Sequence, residues 1–175
     1  MEGIHWRSDY DLTQHSKFSG QDLSYTDPIT HEKYLPWITE TSGGVDRSFF
    51  FMLLDAYRQE TTPNGETRTY LKINPKISAY KIAVIPLAAN KPELINKAET
   101  IFQKLNQKYS VDWDDSSNIG KKYRRQDEIG TPWCLVIDYQ TLEDNTVSIR
   151  DRDTMEQIRL NANEIDSWLE TRLNN

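Results

Sequence analysis

The pattern of hydrophobic positions changes in character near residue 81. Beyond this point, residues 82–87 and 133–138 form short, mostly apolar runs, which are typical of strands covered on both faces. Between these runs, apolar residues recur at three- and four-residue spacing from Leu94 to Tyr109, which predicts an amphipathic helix. Because a strand, crossover helix, strand order implies right-handed parallel pairing, this half of the chain is predicted to be a compact α/β domain.

Shorter elements complete the predicted domain. Strands are predicted over residues 111–113 and 146–150, and a helix over residues 118–129 is stopped by Gly130. Asn163 can cap a last helix whose apolar residues share one face. We therefore expect a mixed β-sheet with helices on both sides.

The first part of the chain predicts α+β structure. Residues 4–12 and 34–39 are expected to be short strands joined by a polar connection. Residues 48–57 are densely apolar without polar alternation, which predicts a helix buried on most of its surface. Residues 58–73 are expected to be an exposed connection with a hairpin tip at Pro63-Asn64-Gly65.

Composition indicates a folded chain without a membrane span. Hydrophobic residues make up 37% and aromatic residues 11%, which is too much apolar content for a disordered chain. The apolar runs fall short of the roughly 20 residues needed to cross a bilayer, and nothing at the start of the chain marks it for secretion. We therefore expect a cytoplasmic protein.

The net charge and the distribution of charge give opposite indications about a nucleic-acid partner. The formal net charge of -6 argues against a nucleic-acid partner, but Lys and Arg form a dense cluster between residues 121 and 125 that could hold phosphates. The histidines show no metal-ligand spacing, and the single cysteine, Cys134, is predicted to be a buried, inert thiol. No metal site is predicted.

Several segments resemble class II glycyl-tRNA synthetases. Residues 38–47, Ile-Thr-Glu-Thr-Ser-Gly-Gly-Val-Asp-Arg, resemble motif 3 in its glycyl form, and residues 2–12 resemble a late segment of the catalytic domain. Residues 119–132, which include Arg-Arg-Gln-Asp-Glu-Ile-Gly-Thr-Pro, and residues 147–155 resemble the glycyl-type anticodon-binding domain. The resemblance covers essentially the whole chain in the family's order.

This resemblance implies the C-terminal part of such an enzyme. Residues 1–74 would be the last strands and helix of an antiparallel-sheet catalytic domain, and residues 75–175 a complete anticodon-binding domain. The parent would be a homodimeric glycine-tRNA ligase that uses ATP and Mg²⁺ to attach glycine to tRNA-Gly. Motifs 1 and 2, which supply the dimer interface and much of the adenylate site, are missing, so we expect the isolated chain to be monomeric and inactive.

The motif 3 segment supplies candidates for substrate binding. The resemblance gives Arg47 a catalytic, ATP-binding role, and a guanidinium can hold phosphate oxygens in a bidentate fork. It also places Glu40 at the ATP site and as acceptor of the glycine ammonium, with Ser42 as a second glycine contact. The alternatives are a surface Arg47 paired with Asp46 or Asp9, and a Ser42 that caps a helix.

The anticodon-binding part supplies candidates for RNA contact. Basic groups on a helix could hold phosphates, while Asp127 or Glu128 accepts hydrogen bonds from cytosine amines. Two arginines at the end of a strand could reach RNA from one face. The candidates are Lys121, Lys122, Arg124, Arg125, Asp127, Glu128, Arg150 and Arg152.

Purely structural roles are the alternatives for these residues. The basic helix could be a solvated surface with ordinary ion pairs, and the two arginines could form an internal network with Glu128 or Glu156. Rival functions are a non-catalytic RNA-binding module and a class II synthetase of other specificity, such as threonyl or prolyl. The glycyl-type sequence between residues 124 and 132 argues against the second rival.

The missing motifs generate a first testable prediction. The isolated chain should not form glycyl-adenylate, because the family holds the α-phosphate and Mg²⁺ largely through groups outside this sequence. The measurement is glycine-dependent exchange of pyrophosphate into ATP, with a complete glycyl-tRNA synthetase as positive control. Exchange above that of a glycine-free reaction would contradict the fragment interpretation.

Overall fold

The computed structural model describes residues 2–62 and 64–174 of the chain. Its contacts divide the chain into two compact units, Met1–Phe51 and Met52–Asn175. Pro63, part of the predicted hairpin tip, lies outside the described residues. Among the residues that are described, no helix is long and apolar enough to cross a membrane.

The first unit contains small antiparallel sheets and a helix. Strand β1 pairs with β4, and β2 pairs with β3. In chain order the elements are β1 (Glu2–Ser8), α1 (Tyr10–Ser19), β2 (Tyr25–Thr26), β3 (Lys33–Tyr34), β4 (Ile38–Gly43) and the start of α2 (Val45–Ala56).

Three predictions for this region are wrong. The strand expected over residues 34–39 is interrupted, because β3 ends at Tyr34 and β4 begins at Ile38. The predicted strand over residues 4–12 ends at Ser8, and α1 follows until Gly20 adopts a left-handed conformation with φ of 70°. Helix α2 is not buried on most of its surface, since Ala56 is its buried residue among those described. Apolar density alone does not tell whether a helix is covered by other elements.

The second unit is built on a mixed five-stranded sheet in the order β11-β10-β9-β7-β8. Strand β7 is parallel to β8 and β9, whereas β10 is antiparallel to both of its neighbours. The elements are β5 (Tyr57–Thr61), β6 (Thr67–Leu71), β7 (Ile82–Pro86), α3 (Pro92–Asn106), β8 (Val111–Trp113), α4 (Ile119–Ile129), β9 (Trp133–Ile137), α5 (Tyr139–Asp144), β10 (Thr146–Asp151), β11 (Gln157–Asn161) and α6 (Ile165–Asn174).

Helices cover both faces of this sheet, as predicted. Because side chains alternate along a strand, β7 and β9 contribute apolar residues to both faces. On one face they form the main core with α3 and α6, which insert Leu94, Ala98, Ile101, Leu105, Ile165 and Leu169. On the other face a smaller cluster packs against Ile119 and Tyr123 of α4. The α/β prediction is confirmed.

The cysteine lies in the smaller cluster. Cys134 is 2% exposed on β9, and burial raises the pKa of its thiol. The prediction of a buried thiol is confirmed.

Other predictions for the second unit need correction. The segment over residues 58–73 is not an exposed connection, because β5 and β6 form an antiparallel hairpin in which Arg68 and Tyr70 are buried. Helix α5, whose N-terminus is capped by Asp138, was not predicted from the sequence. Strand β11 was not predicted, although Ile158 and Leu160 alternate with polar residues along it; its first three side chains are exposed.

The end of the chain also differs in detail. Asn161, not Asn163, provides the cap: its side chain accepts from Asn163 N and precedes a 3₁₀ turn over Ala162–Glu164, after which α6 begins. The division expected between residues 74 and 75 concerns the complete protein and stays a prediction. In this structure, contacts group residues 52–74 with the second unit.

The sheet generates a prediction about stability. Leu135 is fully buried on β9 within the main core, so Leu135→Ala should lower the free energy of unfolding by about 2–5 kcal/mol. Leu142→Ala, at a position 39% exposed, should cost roughly 1 kcal/mol or less. Urea unfolding of both variants gives the comparison, and equal losses would contradict the described core.

Candidate functional site

Helix α4 carries most of the residues predicted to contact RNA. Its start is fixed by Asn118, whose side chain accepts from Lys121 N at 3.0 Å, and Gly130 ends it with φ of 82°. The apolar side chains that it packs on the sheet are Ile119 and Tyr123. Such a small apolar contact means that polar groups have a large part in positioning the helix.

Asp127 lies at the centre of a buried ion network. Arg68 Nε of the β5–β6 hairpin donates to Asp127 Oδ2 at 2.9 Å. Arg150 of β10 donates through both terminal nitrogens, at 2.9 and 3.1 Å, and its guanidinium lies 4.7 Å from the centre of the Tyr123 ring. Both oxygens of the carboxylate are therefore occupied inside the protein.

Arg152 is also held inside the fold. It is 2% exposed and donates to the carbonyl oxygens of Gly130 at 2.7 Å and Ile73 at 2.9 Å, and to the Asp153 carboxylate. The expectation that Arg150 and Arg152 point from one strand face toward RNA is wrong, because β10 ends at Asp151 and both side chains are buried. The structure supports the alternative of an internal network.

The acids of that network differ from those expected. Asp127 and Asp153 pair with the two arginines, whereas the sequence suggested Glu128 or Glu156. Arg68, which completes the network, was not a sequence candidate.

Two further residues of the basic cluster anchor α4 toward β7 and β8. Lys122 is fully buried and donates to Pro86 O at 2.8 Å, and burial lowers the pKa of its ammonium group. Arg125 forms a bidentate pair with Asp114, at 2.6 and 3.0 Å. Gln126, next along the helix, donates through Nε2 to Asp112 Oδ2 at 2.6 Å.

The remaining predicted residues of α4 face solvent. Lys121, Arg124 and Glu128 are exposed and, at a spacing of three and four residues, form one stripe along the helix. Arg124 lies 3.5 Å from Glu66 of the hairpin, and both side chains are more than 60% exposed, at 61% and 72%. We call these three residues the exposed stripe.

An open groove that the sequence did not reveal lies beside α4. It is lined by Leu87, Ile119, Tyr123, Val136, Asp138, Ser148 and Gln157. The Asp138 carboxylate accepts hydrogen bonds from both terminal nitrogens of Arg159, at 2.7 and 2.8 Å, and this pairing lowers the pKa of its carboxyl to about 2. The alternation of polar and apolar residues along β10 was the available signal, because it predicts one uncovered strand face.

In the first unit, β4 and the start of α2 bring together part of the predicted substrate site. Ser42 and Arg47 line one cavity with Gly3, His5, Gly44, Val45 and Asp46. Glu40 lies on the same strand as Ser42 and faces Arg7, with 3.3 Å between Glu40 Oε2 and Arg7 Nε. Ser42 belongs to β4 and α2 begins at Val45, so the alternative of Ser42 as the helix cap is not supported.

Comparison with known proteins places both regions in context. A family model described as "Anticodon binding domain" matches residues 81–172, which begin at β7 and end within α6. The chain is 46% identical over 177 aligned positions to a glycine--tRNA ligase of Streptomyces coelicolor and 48% identical over 167 positions to that of Clostridium tetani. It is also 47% identical to a glycine--tRNA ligase of Borreliella burgdorferi.

These matches involve nearly all of this chain but only part of each relative. They cover 99%, 95% and 100% of the chain, which spans 38%, 35% and 40% of the three relatives. The resemblance to glycyl-tRNA synthetases noted in the sequence is confirmed. From the family model and the five-stranded α/β unit that it matches, the chain belongs to the family of anticodon-binding domains.

Proposed function

We propose that the second unit binds the anticodon loop of tRNA-Gly, and that the chain is part of a glycine-tRNA ligase. Membership of the anticodon-binding family and 46–48% identity to glycine--tRNA ligases support this proposal. The observation that carries it is the exposed stripe on α4, a helix whose other polar residues are anchored within the fold.

The chemistry of the exposed stripe suits single-stranded RNA. Lys121 and Arg124 can pair with phosphate oxygens, which fixes the position of the loop without reading its sequence. Glu128 can accept hydrogen bonds from the exocyclic amine of cytosine, as glycine anticodons that end in two cytosines require. The neighbouring groove with Tyr123 on its wall offers space for an unstacked base.

In the complete enzyme, we propose that the first unit contributes to the site for glycine and ATP. Arg47 lies in the first turn of α2 and lines a cavity with Ser42, where its guanidinium and the N-terminus of the helix both favour a phosphate group. Glu40 carries the carboxylate suited to the glycine ammonium. The glycine carboxylate would attack the α-phosphate of ATP and expel pyrophosphate, with Mg²⁺ offsetting the negative charge, and the glycyl group would then pass to the tRNA 3′ end with release of AMP.

A non-catalytic RNA-binding module is the rival function. It would share the second unit but would not need Glu40, Ser42 and Arg47 together. The cavity that joins Ser42 to Arg47 favours the ligase.

The exposed stripe generates a prediction about salt dependence. For Lys121→Ala combined with Arg124→Ala, the plot of log affinity for tRNA-Gly against log salt should become shallower, its negative slope losing about 0.7–0.9 in magnitude for each phosphate that is no longer neutralised. Fluorescence anisotropy at several salt concentrations gives the slopes.

A double variant of equal charge change provides the control. Lys91→Ala with Lys104→Ala removes two exposed lysines at α3, which covers the opposite face of the sheet. The control should bind as the unmodified chain does. Equal slopes for all three proteins would exclude the exposed stripe as the RNA contact.

A further inference from the structure

The Asp127 carboxylate joins three segments that are distant in sequence. It belongs to α4, while its partners are Arg68 of the β5–β6 hairpin and Arg150 of β10. Arg68 also donates to Glu60 Oε1 at 2.6 Å and to the carbonyl oxygen of Arg152. Because a planar guanidinium presents its donors in a fixed fork, Arg150, bound through two of them, restricts both the position and the orientation of the carboxylate.

The pairing of Asp127 with Arg68 and Arg150 holds helix α4 on one side. Lys122, Arg125 and Gln126 tie the helix toward β7 and β8. Asp127 ties it in the other direction, toward the hairpin and β10. Together these anchors fix the rotation of the helix about its axis, and therefore the direction in which the exposed stripe points.

The same geometry leaves Asp127 poorly placed to read RNA. The residue is 3% exposed, and both of its carboxylate oxygens already accept hydrogen bonds from arginines. A base amine could reach it only if the network opened, and the buried guanidinium groups of Arg68 and Arg150 would then lose their pairing with Asp127. Its effect on RNA must therefore pass through the residues that it holds.

We propose that Asp127 is a positioning residue for RNA binding. By joining the hairpin to α4 and β10, it holds Lys121, Arg124 and Glu128 in the arrangement that meets the RNA. The proposal rests on the proposed function of the exposed stripe. It also makes the hairpin, which precedes the region matched by the family model, a working part of the RNA-binding unit.

The test compares two variants of the full chain in binding to tRNA-Gly. Asp127→Asn and Arg68→Gln should each weaken binding about tenfold and reduce the magnitude of the negative salt slope by about 0.7 for each phosphate that is no longer neutralised, because Lys121 and Arg124 no longer engage together. Arg68→Gln decides the question, since Arg68 is buried and this variant leaves the Asp127 carboxylate intact. Arg58→Gln, at an exposed position of the same hairpin, is the matched control.

A second measurement separates loosening from global unfolding. Binding is compared below the lowest melting temperature of the variants, as followed by circular dichroism. Hydrogen exchange should accelerate in residues 57–71 and 119–129 of both variants and stay unchanged in Arg58→Gln. If Arg68→Gln does not fold, Arg68→Lys takes its place, because it keeps the charge and loses the fork.

Each contrary outcome has a distinct meaning. Wild-type affinity and salt slope for the Arg68 variant would overturn the proposal. So would an Asp127→Asn variant that loses only its preference for tRNA-Gly over an anticodon-swapped tRNA, at unchanged slope, because Asp127 would then read a base. Failure of the unmodified chain to bind RNA would overturn the proposed function, and this proposal with it.

Discussion

Burial of charge is the constraint on which the second unit depends. An isolated guanidinium or carboxylate in the interior costs several kcal/mol, and the cost is offset only by a well-formed partner. Arg68, Asp127 and Arg150 are each at most 7% exposed, and the two arginines share the Asp127 carboxylate, with Glu60 as a second partner of Arg68. Meeting this requirement brings the hairpin, α4 and β10 together, because no one of these segments carries all the partners.

The separation of the α4 residues into buried anchors and exposed groups follows from this constraint. The sheet gives the helix only a small apolar surface, at Ile119 and Tyr123, so the inward polar residues hold it and the outward ones remain available. Lys121, Arg124 and Glu128 differ from their neighbours in exposure rather than in chemical type. A rigid support of this kind suits recognition, since little free energy is then spent on ordering the groups that meet the RNA.

The sequence indicated the sheet far better than it indicated this arrangement. The apolar runs at β7 and β9 and the spacing along α3 are local signals, and each corresponds to the observed element. The inward side of α4 has no such signal, because charged residues occur all around the helix. Which side of α4 faces inward depends partly on Arg68, which binds Asp127 and lies 59 residues from it in the sequence. The resemblance implied RNA contacts within α4 but could not separate anchoring residues from exposed ones.

The most direct measurement is a nuclear magnetic resonance titration of the isotope-labelled chain with the anticodon stem-loop of tRNA-Gly. The central claim is that α4, held by its buried network, presents the exposed stripe to RNA. It predicts that shift changes concentrate in α4 and in the groove lined by Tyr123, Asp138 and Ser148, and that the outer surface of α3 and α6 is unaffected. Changes centred on α3 and α6, with α4 unaffected, would contradict it.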